Sequence, residues 1–188
     1  MTRRQTFSVI VFCLTLLVVA PVIAGQPDPV LIVATIDPSI TSTISLFVLP
    51  DGSGHPLNEA MIQPGIEVDA TITLTLIDAG GNPWPGYPAQ DMWIQTSDGG
   101  LVACLGGTFS DGDTDSNGQT TFSGSFRAGG STNPVAGEVT KVIINGTALV
   151  GSDLDIQFNS PDLDGDGQVG LSDTVLFVPL YTGGVYDY

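Results

Sequence analysis

The sequence predicts a mainly β protein, in which a β-sandwich is followed by a short C-terminal loop and helix. Three observations support this prediction. Apolar and polar residues alternate in several short segments between residues 40 and 158, clusters of Gly, Pro, Asn and Asp separate these segments, and an acidic loop follows Ser160-Pro161. Alternation places one face of a strand in a core, and many short strands separated by turns are typical of a sandwich.

The clearest alternation covers residues 66–77. Six apolar residues fall on one face of this segment, and Glu, Asp and Thr occupy the other. Alternate residues share a face in a strand but not in a helix, so we predict one strand with one buried face. Weaker alternation elsewhere predicts further buried residues. They are Ile44, Leu46, Val48, Met92, Ile94, Thr96, Phe122, Phe126, Val142, Ile144, Leu154, Ile156 and Phe158.

Five clusters rich in Gly, Asn and Asp predict turns between these strands, because these residues adopt the backbone conformations that tight turns require. The predicted turns are residues 51–54, 80–83, 98–100, 116–118 and 128–130.

The N-terminus has the pattern of a secretory signal peptide. Arg3 and Arg4 precede an apolar run over residues 7–19, and Val22-Ile23-Ala24 resembles a cleavage site. The run is shorter than the ~20 residues that cross a bilayer, although an uncleaved anchor is the alternative. We predict a signal peptide at residues 1–24, a linker at 25–38 and no membrane span after cleavage. The protein would be secreted, extracellular or at the cell surface.

Beyond residue 24 the chain is strongly acidic. Arg127 and Lys141 are its only strong bases there, and against all 20 acidic residues they give a formal charge of −18. Phosphate binding needs clustered Lys and Arg, so we predict no nucleic-acid partner. Cys104 is the only cysteine in this part. It is either a buried small hydrophobe, which we favour, or a half-cystine whose partner is missing.

The densest group of metal-ligand residue types lies in residues 162–173, which read Asp-Leu-Asp-Gly-Asp-Gly-Gln-Val-Gly-Leu-Ser-Asp. Carboxylates stand at positions 1, 3, 5 and 12, and a Gly that allows a sharp bend stands at position 6. Calcium takes six to eight oxygen ligands, which such a loop can wrap around it. The spacing predicts a Ca²⁺ site, and a plain acidic linker is the alternative. The predicted ligands are Asp162, Asp164, Asp166, Gln168 through its backbone carbonyl, and Asp173.

Position 12 is Asp rather than Glu, and Thr174-Val175-Leu176-Phe177 and Tyr181-Thr182-Gly183 follow. With these residues the segment resembles one repeat of a dockerin. Dockerins are modules of secreted bacterial proteins that use two such calcium loops to bind cohesin domains. The resemblance implies a dockerin-type calcium-binding repeat at residues 160–188, with the same calcium ligands. It also implies that Leu171 and Ser172 face a cohesin-like partner.

Two features depart from the dockerin pattern. Only one loop is present, so we expect the chain to be a fragment that lacks a second loop. Pro179 lies where the helix should continue, and its missing N–H and bulky ring predict that the helix ends or kinks near Phe177–Val178. A single repeat also leaves apolar helix residues half exposed unless they pack on the sandwich.

Three stretches within residues 71–127 occur in an order found in one family of surface domains. They are a strand and turn from Thr73 to Pro83, the strand Met92-Trp93-Ile94-Gln95-Thr96, and a turn and strand from Thr114 to Phe122. In this order they resemble a bacterial Ig-like domain of the invasin/intimin type. The resemblance implies an Ig-like β-sandwich, which we place at residues 39–159.

Other candidate sites are weaker. The acidic run at residues 111–118 lacks a closing carboxylate, so we interpret it as a solvated loop rather than a second calcium site. His55 is the only histidine, there is no Cys/His cluster, and no carboxylate pair stands out for glycoside hydrolysis. Trp93 is either an exposed platform for a sugar or an aromatic packed under a loop. We predict that the protein is not an enzyme.

The function predicted from the sequence is therefore that of an exported, non-catalytic calcium-binding protein with a structural, adhesive or docking role. Its C-terminal module would bind a cohesin-like protein or pack on the sandwich. The alternative is a carbohydrate-binding accessory module of a polysaccharide-degrading assembly, with a polysaccharide as the partner.

Overall fold

The computed structural model describes residues 32–62, 65–132, 137–151 and 153–183. The predicted signal peptide at residues 1–24 lies outside these ranges. The strands are β1 (Val33–Thr35), β2 (Ile44–Phe47), β3 (Ala60–Ile62), β4 (Ile66–Val68), β5 (Ile72–Thr75), β6 (Met92–Thr96), β7 (Leu101–Ala103), β8 (Gln119–Phe122), β9 (Ala128–Gly130), β10 (Thr140–Ile144), β11 (Thr147–Ala148) and β12 (Ile156–Asn159). Within the same ranges, two 3₁₀-helices cover Leu57–Glu59 and Ala89–Asp91, and the helix α1 covers Leu171–Gly183.

Within the described residues the strands form four sheets, in the orders β1-β5-β8, β11-β10-β6, β12-β2-β3-β4 and β7-β9. Every pair is antiparallel except β12 and β2, which run parallel with Phe158 opposite Leu46. The prediction of a mainly β protein is confirmed. We call the part built from β1 to β12 the β-domain.

One hydrophobic core receives side chains from all four sheets. Phe122 of β8, Leu46 of β2 and Phe158 of β12 are fully buried in it, and Phe126 and Phe158 pack with ring centroids 6.0 Å apart. The residues that the weaker alternation placed in the core are buried, and so are Ala70, Ile72, Leu74 and Leu76 of residues 66–77. The prediction fails at the start of that segment, where Ile66 is 55% exposed and Val68 is half-buried. Burial of this apolar area is the main source of stability, at about 25 cal/mol per Å² removed from water.

The prediction of a single strand over residues 66–77 is wrong. The segment contains two strands in different sheets, since β4 pairs with β3 and β5 pairs with β1 and β8. The break falls at Asp69, whose carboxylate accepts a hydrogen bond from the N–H of Thr71 at 3.0 Å. This local bond gives the backbone an alternative to the ladder, so β4 ends at Val68 while the alternation in the sequence continues.

The prediction of a turn at residues 128–130 is also wrong. These residues form β9, which pairs with β7 so that Val102 lies opposite Gly129. A glycine-rich segment can form a strand where another backbone or side chain approaches it closely.

The two Asp-x-x-Gly turns at Asp78 and Asp115 have the same construction. In each turn the aspartate Oδ1 accepts hydrogen bonds from the N–H groups two and four residues ahead, at 2.8–2.9 Å. Gly81 and Gly118 follow with φ values of 82° and 71°, which favour glycine. These donors lower the pKa of both carboxyl groups. The turns therefore stabilise the ionised form of each aspartate.

The helix α1 extends through Pro179 to Gly183, so it does not end near Phe177–Val178, and the alternative of a kink there stays a prediction. Proline removes one hydrogen bond, to the carbonyl of Val175. Val175 and Pro179 are exposed, so water can satisfy that carbonyl. None of the helices among the described residues combines the length and apolar character that crossing a membrane demands.

The different burial of two leucines predicts that their substitution changes the free energy of unfolding by different amounts. Leu46 is fully buried and Leu105 is fully exposed. Leu46→Ala should lower the free energy of unfolding by about 2–5 kcal/mol, because it leaves a cavity in the core. Leu105→Ala is the matched control and should change it by less than about 0.5 kcal/mol. Urea unfolding measures both, and equal effects would contradict the assigned core.

The turn at Asp115 predicts a pH dependence. Its folded-state pKa lies below the ordinary value of 3.8, so its contribution to stability is present above that value and is lost as pH falls through the folded pKa. Asp115→Asn keeps an oxygen acceptor that cannot titrate. The variant should lose less stability than the unaltered protein as the pH is lowered below 3.8. Unfolding at several pH values measures this. Leu105→Ala, at an exposed side chain that carries no titratable group, is the control and should follow the unaltered protein.

Candidate metal centre

The acidic loop, residues 162–173, connects β12 to the first turn of α1. Carboxylate oxygens of Asp162, Asp164 and Asp166 lie within 4.8 Å of one another, so the structure brings together the first three predicted ligands. Charges of one sign at this spacing repel, and a bound cation would remove the repulsion.

Asp162 is fully buried, and no described residue donates a hydrogen bond to its Oδ1. Its Oδ2 accepts one from the N–H of Gly167 at 3.1 Å. Burial raises the pKa of this carboxyl group, and the charges of Asp173, Asp166 and Asp164 add to the effect, while the Gly167 bond opposes it. A buried oxygen without a partner costs about 1–3 kcal/mol, and more when charged. The oxygen therefore needs a compensating group, which a cation would supply.

Asp164 and Asp166 are exposed, and each shapes the backbone that follows it. Asp164 Oδ1 accepts a hydrogen bond from the N–H of Asp166 at 3.1 Å, and Asp166 Oδ1 accepts one from the N–H of Gln168 at 2.8 Å. The φ of Gly167, at position 6, is 90°, a conformation that L side chains rarely adopt. This agrees with the sharp bend expected there.

Asp173, the predicted closing ligand, is 3% exposed and accepts three backbone hydrogen bonds. Its Oδ1 accepts from the N–H groups of Leu163 at 2.7 Å and Asp164 at 3.2 Å, and its Oδ2 accepts from Gly170 at 2.6 Å. The bond from Gly170, just before α1, is half of a capping box. These donors lower the pKa of Asp173. The carboxylate thus closes the loop, and its role as a metal ligand stays a prediction.

The remaining predicted residues lie on the surface. Gln168 is exposed, and coordination through its carbonyl stays a prediction. Leu171 is 80% exposed and Ser172 is exposed, both in the first turn of α1, so a partner can reach them. Their role in binding a partner likewise stays a prediction.

The loop contacts the strand pair β7–β9, which the sequence did not indicate. The N–H of Gly130 donates a hydrogen bond to the carbonyl of Asp162 at 2.5 Å. A Cβ at Gly129 would lie 2.0 Å from Asp162 Oδ2, and a Cβ at Gly165 would lie 2.7 Å from Val102 Cγ2. Two adjacent glycines inside a strand were the available signal, since glycine in a strand often marks a close approach.

A cleft of about 270 Å³ separates the start of α1 from β2. Phe47 of β2, Pro161 and Leu163 line one part, and Phe177 of the helix lines another. Other apolar residues of the helix remain exposed, namely Leu171, Val175, Leu176 and Val178.

The second acidic run does not gather its carboxylates in the same way. Asp111 accepts hydrogen bonds from Thr121 and Ser123, and Asp113 accepts one from the N–H of Ala89. Among the described residues, the group of side chains that could hold a metal ion consists of Asp162, Asp164 and Asp166. The interpretation of residues 111–118 as a solvated loop fits these contacts.

The two tryptophans have different environments. Trp84 packs against the hydrophobic core, with its ring edge-to-face to Tyr87 at 6.0 Å. Trp93 is half-buried and lines a cleft of about 310 Å³ with Phe109, Cys104 and the exposed Leu105. Cys104 is half-buried rather than fully buried. A sugar-stacking role for Trp93 stays a prediction.

A scan against protein-family models and a search of curated protein sequences both find no match to this chain.

Repulsion between the carboxylates of the acidic loop predicts a change in melting temperature in the absence of metal. In chelator and at low salt, Asp164→Asn with Asp166→Asn should raise the melting temperature, because two charges leave the neighbourhood of buried Asp162. The matched control, Glu67→Gln with Asp98→Asn, removes the same charge at exposed sites. Salt should shrink the difference by screening. Identical melting temperatures for the two double variants at low salt would contradict the repulsion.

Proposed function

We propose that this protein is an exported, non-catalytic calcium-binding protein with a structural, adhesive or docking role. In this proposal an Ig-like β-sandwich carries one dockerin-type calcium repeat. The observation that supports it most is the buried Asp162 carboxylate, whose Oδ1 has no hydrogen-bond donor among the described residues and which lies beside Asp164 and Asp166.

The donor set favours calcium over other metals. Asp162, Asp164 and Asp166 offer carboxylate oxygens, and the clustered group contains neither histidine nor cysteine, the nitrogen and sulfur ligands typical of structural zinc sites. Magnesium demands a rigid octahedral shell and usually keeps several waters, whereas calcium accepts six to eight oxygens in a flexible loop. Carbonyl oxygen from Gln168 and carboxylate oxygen from Asp173 would extend the same oxygen-rich set.

Calcium would act by stabilising the folded loop. It would satisfy Asp162 and neutralise the three clustered carboxylates, so binding would favour the folded form by mass action. We expect an affinity of order 10⁻⁵ to 10⁻³ M, in the range of weak extracellular sites. Export, which residues 1–24 predict, would place the loop where calcium is plentiful.

The docking role is supported by the start of α1. Leu171 and Ser172 are exposed beside Asp173, which ties the loop to the helix through its bond with Gly170. Calcium would therefore order the surface that meets a cohesin-like partner. No catalytic group is assigned in this proposal.

Calorimetric titration with Ca²⁺ tests the proposal. The intact protein should bind about one ion, and calcium at about 100 times the dissociation constant should stabilise it by roughly 2.7 kcal/mol. Asp164→Asn with Asp166→Asn should abolish both the binding heat and the rise in melting temperature. Both side chains are exposed, so the variant should still fold.

The control is again Glu67→Gln with Asp98→Asn, which changes the charge equally and leaves the acidic loop intact. It should bind calcium like the unaltered protein. An unchanged calcium response in the acidic-loop variant, or no calcium binding by the unaltered protein, would overturn the assignment.

A further inference from the structure

The segment that joins β12 to the acidic loop runs beside the end of β9 and the residues that follow it. The N–H of Thr132 donates to the carbonyl of Phe158 at 3.0 Å, and the N–H of Phe158 donates to Thr132 Oγ1 at 2.9 Å. Four residues further on, the carbonyl of Asp162 accepts from the N–H of Gly130 at 2.5 Å. The residue with the buried carboxylate is therefore fixed to the β-domain through its own backbone.

A glycine is needed at position 129 because Asp162 approaches it closely, and not because of its backbone angles. A Cβ there would lie 2.0 Å from Oδ2 and 2.6 Å from Cγ of Asp162, which real atoms do not tolerate. Unlike Gly130, whose φ is 77°, Gly129 has no left-handed φ. The missing side chain therefore makes room for the carboxylate of Asp162.

A second loop residue contacts the same cross-strand pair. Gly165, at loop position 4, lies against the side chain of Val102, and Val102 is the partner of Gly129 in the antiparallel register. The neighbouring residues Leu101 and Ala128 are buried in the core. The acidic loop therefore contacts the Val102–Gly129 pair, and the strand neighbours of this pair lie in the core.

We propose that the strand pair β7–β9 is part of the calcium site, with Gly129 and Gly130 as positioning residues for Asp162. This inference rests on the proposed function. Cation binding would then stabilise the β-domain through β9, rather than ordering a C-terminal module alone. A two-stranded sheet is marginal by itself, so β7–β9 depends on support from the elements that pack on it.

Hydrogen exchange on the intact, unaltered protein tests the coupling. Saturating Ca²⁺ should slow exchange by about tenfold or more in Leu101–Ala103 and Ala128–Gly130, including the Gly130 amide, as well as in the acidic loop; tenfold corresponds to about 1.4 kcal/mol. The effect should vanish in Asp164→Asn with Asp166→Asn. Slowing confined to residues 162–173 would overturn the inference.

Gly129→Ala tests the positioning role by calcium titration. The added methyl group should displace the Asp162 carboxylate and weaken calcium affinity by about tenfold or more, a change of about 1.4 kcal/mol or more. Gly112→Ala is the matched control, because a Cβ at Gly112 meets no atom within 4 Å, and it should bind like the unaltered protein. Equal affinity in the two variants would contradict the positioning role.

The outcomes separate the two proposals. Calcium binding without added protection of β7 and β9 would leave the proposed function standing and overturn this inference. Absence of calcium binding by the unaltered protein would overturn both. If Gly129→Ala does not fold, hydrogen exchange on the unaltered protein decides.

Discussion

The burial of one carboxylate, that of Asp162, is the constraint on which the C-terminal part of the molecule depends. A charged oxygen removed from water needs compensation, or the ionised form becomes unfavourable. The described surroundings provide one N–H donor, from Gly167, and three nearby carboxylates, of Asp173, Asp166 and Asp164, that make the charge less favourable. The absent side chain at Gly129 and the bend at Gly167 are both consequences of placing this group where it lies.

Most of the burial pattern of the β-domain could be predicted, because alternation in a strand directly reports which face is covered. The exposed Ile66 at the start of β4 is the exception. The sheet to which each strand belongs could not be predicted in this way. In residues 66–77 the alternation continues across the break between β4 and β5, so sequence periodicity gives no sign that the chain leaves one sheet for another. The available signal for this change was Asp69, which accepts a hydrogen bond from the N–H two residues later. Aspartates also occur in unbroken strands, so this signal is not decisive.

Much of the candidate site could be predicted because its residues are close together in the sequence. The spacing of Asp162, Asp164 and Asp166 fixes which oxygens can converge, whatever the rest of the chain does. Gly129 and Val102 could not be predicted, because they meet the acidic loop only through the tertiary fold. A pair of glycines predicts a turn as readily as a close approach, and composition does not separate the two. Pro179 failed as a helix stop for a similar reason, since an exposed helix can leave one carbonyl to water.

Asp162 and Asp173 have opposite environments, and this contrast separates two tasks in the loop. Backbone donors hold the pKa of Asp173 low, so its ionised form already stabilises the closure of the loop and the start of α1. Burial and neighbouring charges raise the pKa of Asp162, so they oppose its ionised form. The loop can therefore form most of its backbone contacts before a cation binds, and the electrostatic gain from a cation would be concentrated at the Asp162–Asp164–Asp166 group. Because Asp162 is also the residue bonded to Gly130, that gain would arise where the loop meets the β-domain.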